Sequence, residues 1–96
     1  MVTETFPYDV AKTFNSQEEM AAYIDLWLKE APDDIPGIMK ALGDVARAQG
    51  MTDVANNSGL SRESLYKSLS AEGNPSFATI LKVMSALGLR LRAVAV

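Results

Sequence analysis

The stretch from Thr52 to Leu65 constrains this chain more than any other part of it. It reads Thr-Asp-Val-Ala-Asn-Asn-Ser-Gly-Leu-Ser-Arg-Glu-Ser-Leu. Thr52 is placed to cap a helix of barely two turns, Asp53 to Ser58, and Ser61 to cap a second, Arg62 to Leu69. Between them Gly59 takes the positive φ of a tight corner at no steric cost. Ala55 is small enough to let two helices approach, while Leu60 and Leu65 fill the angle between them. Leu65 and Leu69 are spaced to face inward. A string with all of these at compatible offsets predicts a helix-turn-helix, with further helices on both sides.

Those neighbours are delimited just as clearly. Ser16-Gln17-Glu18-Glu19 reads as a capping box, in which the Ser16 hydroxyl accepts from the third helical N–H and Glu19 reaches back to the Ser16 amide. Met20, Tyr23, Ile24, Trp27, Leu28 and Ala31 then recur at helical spacing until Pro32, predicting an amphipathic helix over Gln17–Glu30. Asp33-Asp34-Ile35-Pro36 opens the next helix, with carboxylates at its positive end and proline in its first turn. Its apolar stripe is Ile38, Met39, Leu42, Val45 and Ala46, and Gly50 ends it. The two aspartates read as caps, because no further carboxylates at metal-ligand spacing follow. After the loop Ser70–Gly73, Asn74-Pro75-Ser76 starts a last helix. Phe77, Ile80, Leu81, Met84 and Leu87 are expected in the core, and Gly88 is expected as its left-handed cap. Met20, Met39, Met51, Met84 and Trp27 read as core residues.

The ends are less regular. Leu89-Arg90-Leu91-Arg92 alternates and runs into a β-branched tail, which predicts a strand over 89–96. A lone strand cannot satisfy its own backbone. It must pair with the N-terminal segment or with its twin in a second chain. The twin is preferred, because helix-turn-helix reading of DNA usually takes a dimer. Leu89, Leu91, Val94 and Val96 would then be the dimerisation residues. Arg90 and Arg92 would share one face, where they could flank DNA, contact the partner or, as preferred, keep the edge soluble. Residues 1–15 read two ways: Asp9 could cap a helical turn, or Phe6, Tyr8 and Val10 could alternate as a strand. One structural domain is expected, divided into an N-terminal extension with its amphipathic helix (1–34), a helix-turn-helix core (35–88) and a dimerisation strand (89–96).

Composition narrows the chemistry. The 96 residues include no His and no Cys. That excludes a His/Cys metal site, a Cys nucleophile, a Ser-His-Asp triad and any disulfide. Without paired carboxylates in an apolar setting there is little to perform acid–base chemistry, so no enzyme and no cofactor are expected. No run approaches a membrane span and no signal pattern opens the chain, so a cytoplasmic protein is expected. The net charge of −3 at first argues against nucleic acid. Its distribution argues otherwise. Residues 1–48 carry four basic and nine acidic groups, whereas residues 49–96 carry five basic and three acidic ones. An acidic front and a mildly basic back suggest two surfaces with different partners.

In a helix-turn-helix the second helix enters the major groove, which makes Ser61, Arg62, Glu63, Ser64, Tyr66 and Lys67 the candidate DNA-binding residues. Arg62 can donate two bonds to guanine O6 and N7, and Glu63 could accept from cytosine N4. The serines can serve bases or phosphates, and Lys67, one turn on, suits a phosphate. Tyr66 could join them or pack on the following loop. Thr52 offers a helix N-terminus that suits a phosphate, as do the residues of the Asn74-Pro75-Ser76 cap. On the acidic front, Leu26 lies away from the apolar stripe, toward Glu19 and Glu30, and is a candidate contact for another protein.

Three blocks carry a family resemblance: Ala41-Leu42-Gly43-Asp44-Val45-Ala46-Arg47-Ala48-Gln49-Gly50-Met51-Thr52, Gly59-Leu60-Ser61-Arg62-Glu63-Ser64-Leu65-Tyr66-Lys67-Ser68-Leu69-Ser70, and Glu72-Gly73-Asn74-Pro75-Ser76-Phe77-Ala78-Thr79-Ile80-Leu81-Lys82-Val83. They resemble the HigA-like addiction-module antidote proteins, a branch of the Xre/Cro-type helix-turn-helix regulators, and the likeness covers nearly the whole chain. It implies a mainly α fold, a five-helix bundle of the lambda-repressor-like kind. It also implies a type II antitoxin that neutralises a RelE/HigB-like ribonuclease toxin and represses its own operon as a homodimer on operator DNA; Leu26, from its place on the helix, is then the candidate toxin contact. Such proteins often carry Gln at the start of the first motif helix. Here that position is Asp53, whose charge repels phosphate. The competing expectation is a phage-type Xre/Cro regulator with no toxin partner.

Overall fold

A computed structural model describes residues 14–96, and five helices follow one another there: α1 (Gln17–Glu30), α2 (Ile35–Gln49), α3 (Met51–Ser58), α4 (Arg62–Ser68) and α5 (Phe77–Ala86). Most of them begin where a side chain satisfies an orphan backbone N–H. Ser16 Oγ accepts from the Glu19 N–H at 3.2 Å, and an Asp34 carboxylate oxygen accepts from the Gly37 N–H at 3.0 Å. Ser61 Oγ accepts from Ser64 and Ser76 Oγ from Thr79, at 3.0 and 3.1 Å. Glu19 does reach back, but it takes the Asn15 amide at 2.9 Å, one residue before the predicted partner.

Thr52 is not a cap. Gly50, at φ 112°, alone turns the chain from α2 into α3, and α3 starts at Met51 with no side-chain cap. Thr52 therefore already has helical backbone and cannot take the extended conformation that capping requires. At the other end, α5 closes in a Schellman motif: Gly88 N–H donates to the Ser85 carbonyl and Leu89 N–H to that of Met84, both at 2.9 Å.

The core draws on every helix. Leu65, Leu87, Val45, Val54 and Val83 are fully buried, and α1 adds Met20 and Ile24. All four internal methionines are buried as expected, and Trp27 packs half-buried against the cluster. Phe77 and Leu81, both expected inside, are 67% and 44% exposed. The buried stripe of α5 runs through Val83, Met84 and Leu87, with Ile80 half-buried. Phe77 stands in the first turn, beyond that stripe, and Leu81 sits about 100° round the helix from Ile80.

A polar cluster fastens α1 to α2. Asp44 on α2 is buried, and its carboxylate accepts from Arg47 Nη2 at 2.6 Å and from the Tyr23 hydroxyl of α1 at 3.0 Å. Lys40 Nζ stands 3.8 Å away. Tyr23 also tilts against Phe14, with ring centroids 5.1 Å apart. At the start of α1, Gln17 Nε2 donates to the Leu87 carbonyl at 3.0 Å, so α1 is also held to the end of α5. Among the described residues no buried polar side chain lacks a partner.

The predicted C-terminal strand does not form within the described residues: 89–96 carries no ladder there. A strand exists only through its neighbour's hydrogen bonds, and no described segment of this chain offers an edge to it. The two readings of residues 1–15 fall almost wholly outside the described residues. No described helix is long and apolar enough to cross a membrane.

The Tyr23–Asp44 bond predicts a measurable cost. Tyr23→Phe should lower stability by about 1 kcal/mol in urea denaturation near neutral pH. Burial, first, and then the Asp44 carboxylate hold the Tyr23 phenol above its usual value of 10.0, with Trp27 opposing. The folded state therefore keeps this proton longer than the unfolded chain does. Its contribution is complete below pH 10 and is lost as pH rises through the folded value. Stability should thus fall less steeply above about pH 10 in Tyr23→Phe than in the parent chain.

Candidate nucleic-acid interface

The corner between α3 and α4 is built from three residues that close on themselves. Gly59 adopts φ 78°, and its N–H donates to the Ala55 carbonyl at 3.0 Å. Ser58 Oγ donates to that same carbonyl and accepts from the Leu60 N–H, both at 3.3 Å. Leu60 packs half-buried against the core. The chain thus leaves the corner with Ser61 extended and ready to cap α4.

Leu65 is the one residue of α4 that is buried, and Leu69 follows it inward just past the helix. Everything else predicted on this helix points out: Arg62, Glu63, Ser64, Tyr66 and Lys67 are all exposed. The structure therefore gathers six of the seven predicted residues, Ser61 included, on one short helix and its cap. Thr52 is exposed in the first turn of α3, beside Asp53.

Local bonds pre-arrange part of this face. Arg62 Nη2 lies 3.4 Å from the Tyr66 hydroxyl, and the guanidinium carbon is 5.8 Å from the ring centroid. The ring of Tyr66 is thereby engaged along its own helix. One turn of hydrogen bonding and a cation–π contact restrict the arginine before any ligand arrives. Ser61 Oγ accepts from the Ser64 amide and gives its own proton to Ser64 Oγ at 3.0 Å. The Ser64 hydroxyl keeps its proton for an outside acceptor.

The loop after α4 is folded tightly onto the helix end. Ser70 Oγ donates to the Lys67 carbonyl at 3.0 Å, and the Gly73 N–H donates to the Ser70 carbonyl at 2.9 Å. A Cβ on Gly73 would meet the Ser68 carbonyl oxygen at 2.1 Å, so no larger residue fits this approach. The predicted anion-binding cap at Ser76 is occupied by its own helix, its Oγ accepting from Thr79 and lying 3.1 Å from the Thr79 hydroxyl.

The remaining predicted positions lie elsewhere. Leu26 is 55% exposed on α1, with Leu28 at 39% and Ile35 at 51% also outside the core. Leu89 packs half-buried on its own chain's core, whereas Leu91, Val94 and Val96 are exposed. Two features escaped the sequence reading. The Tyr23–Asp44 link joins residues 21 apart, and only the spacing of Lys40, Asp44 and Arg47 on one helix hints at it. The second is an open groove between α1 and the C-terminal run, lined by Ala21, Ala22, Leu28, Leu91 and Val94 among others. Its signal was the pair of small residues, Ala21-Ala22, on the outer face of α1. Among the described residues no group of carboxylates is arranged to hold a metal ion.

Comparison with known proteins adds two findings. A family profile described as "probable addiction module antidote protein" matches residues 4–95. A protein of Haemophilus influenzae, described only as uncharacterized, is 47% identical over 92 residues, which is 96% of this chain and 93% of that relative. No solved structure matches the chain.

Proposed function

The chain belongs to the family of probable addiction module antidote proteins, and on that premise we propose that it is the antitoxin of a type II toxin–antitoxin module. It binds a RelE/HigB-like ribonuclease toxin and represses its own operon by sequence-specific DNA binding as a homodimer in the cytoplasm. It is a binding protein with no cofactor and no catalytic residue. The observation that carries the DNA half is the presentation of α4: one buried leucine on its inner edge, and Arg62, Ser64, Tyr66 and Lys67 outward.

In this reading α3, the Gly59 corner and α4 are a helix-turn-helix, with α4 in the major groove. Arg62, steadied by Tyr66, reads guanine through O6 and N7. Ser64 and Glu63 meet neighbouring base edges, Ser61 holds the start of the helix, and Thr52 and Lys67 take phosphates. Asp53 stands beside Thr52 and weakens the phosphate contact there, which suits a repressor of moderate affinity. The carboxy-terminal residues Leu89, Leu91, Val94 and Val96 join two chains, so that the two copies of α4 meet half-sites about 34 Å apart.

The toxin half rests on the family and on charge. A ribonuclease must hold a polyanion and is therefore commonly basic. The outer face of α1 offers it Glu19, Glu30 and the exposed Leu26. A phage-type Xre/Cro regulator would share the DNA half and lack this partner.

In a shift assay on the DNA upstream of its own reading frame, Arg62→Ala should cost about 1–3 kcal/mol and relax base choice at one position. Lys67→Ala should weaken all sequences alike and flatten the salt dependence. Unchanged binding by Arg62→Ala would mean that α4 is not the reading helix. Expressed with its genomic neighbour, the chain should co-elute with a small basic protein. Leu26→Arg should reduce that co-elution while leaving the DNA shift intact. Absence of any co-eluting neighbour would favour the phage-type regulator.

A further inference from the structure

The groove between α1 and the C-terminal run has a charge pattern that the function above does not use. Its floor is apolar, formed by Ala21, Ala22, Ile24 and Leu28 of α1 with Leu91 and Val94 of the tail. One rim belongs to α1 and carries Glu18 and Asp25; the other belongs to the tail and carries Arg90 and Arg92. All four charged residues are exposed. Among the described residues the ion pairs join Asp44 to Lys40 and Arg47, and none links Glu18 or Asp25 to Arg90 or Arg92, so the two rims do not meet across the groove. The tail itself carries no ladder among the described residues, and its apolar side chains stand exposed.

A patch that is acidic along one edge, basic along the other and apolar between them is complementary to one surface in particular. That surface is its own copy turned through a two-fold axis, because the rotation lays each basic edge on the other acidic one. We propose that this groove is the seat of a second copy of the chain. The tail of each protomer lies against the groove of its partner, Arg90 and Arg92 of one face Glu18 and Asp25 of the other, and the Leu91 and Val94 side chains of the two chains meet over the apolar floor. The proposal rests on the homodimer inferred above and adds the surface that receives the tail. It gives α1 a role on this flank, distinct from the flank carrying Leu26. It also settles Arg90 and Arg92 on a contact between chains, where the sequence alone left DNA, the partner or solubility open.

The test uses full-length chains and sedimentation equilibrium, with circular dichroism to check that each variant is folded. The variants are Glu18→Lys/Asp25→Lys, Arg90→Glu/Arg92→Glu, and all four changes in one chain. Each double variant alone should weaken self-association by about tenfold or more, since every cross-groove pair becomes repulsive. An equimolar mixture of the two double variants should restore association, because both contacts of the heterodimer are again opposite in sign. The four-fold variant should also associate. Rescue in the four-fold variant but not in the mixture would mean that the charges act within one chain, and would overturn the proposal. So would a double variant that associates as the parent does, including one that loses only co-elution with a toxin. A monomeric parent chain would overturn the homodimer of the proposed function as well, whereas a dimeric parent indifferent to these charges would overturn the groove alone.

Discussion

One buried carboxylate organises the way the helices are held. Asp44 sits inside α2, where it would be costly to leave a charge unpaired. It is satisfied from two helices: Arg47 and Lys40 on its own, and the Tyr23 hydroxyl from α1. This is the polar tie that sets α1 on α2, and the rest follows by packing. The contacts of α2 pass to α3, and α3 holds both α4 and α5. Loss of Asp44 would strand the Tyr23 hydroxyl and leave α1 resting on Met20, Ile24 and the single Gln17 bond to the end of α5.

This order of packing separates the two surfaces with functional candidates. α4 is held by α3 through Leu65 and the Gly59 corner, so its outer face stands exposed. α1 is held from the other side by α2 and turns its acidic outer face away from the core. The charge distribution acquires a physical meaning in that arrangement. Among the described residues of the first half, Glu18, Glu19, Asp25 and Glu30 stand exposed on α1 and Asp33 and Asp34 in the turn before α2, and the proposed recognition face needs only Arg62 and Lys67. A net negative chain can approach DNA when its cations are local and most of its acids lie on another helix.

Much of the fold was legible because much of it is local. Ser16, Asp34, Ser61 and Ser76 cap helices through bonds spanning three residues, and Gly59 and Gly88 turn the chain where a positive φ is needed. Most of the misplacements came from tertiary geometry. Thr52 lost its cap role because Gly50 alone makes the turn. Phe77 and Leu81 match a helical stripe, but the core covers only the later turns of α5 and a face rotated away from Leu81. Tyr23–Asp44 and the α1–tail groove depend on which helices become neighbours, and no periodicity records that. The tail kept its strand-like sequence without a strand, because a ladder needs a second edge.

In the proposed function DNA and the toxin use different helices of the one chain. The direct measurement is a backbone amide NMR titration of the labelled full-length protein. It would first use the DNA upstream of its own reading frame, then the protein encoded beside it. DNA should shift the amides of residues 52–67 and spare the outer face of α1, and the neighbouring protein should do the reverse. Amides of α4 left unmoved by DNA, or both ligands shifting α1, would contradict this division.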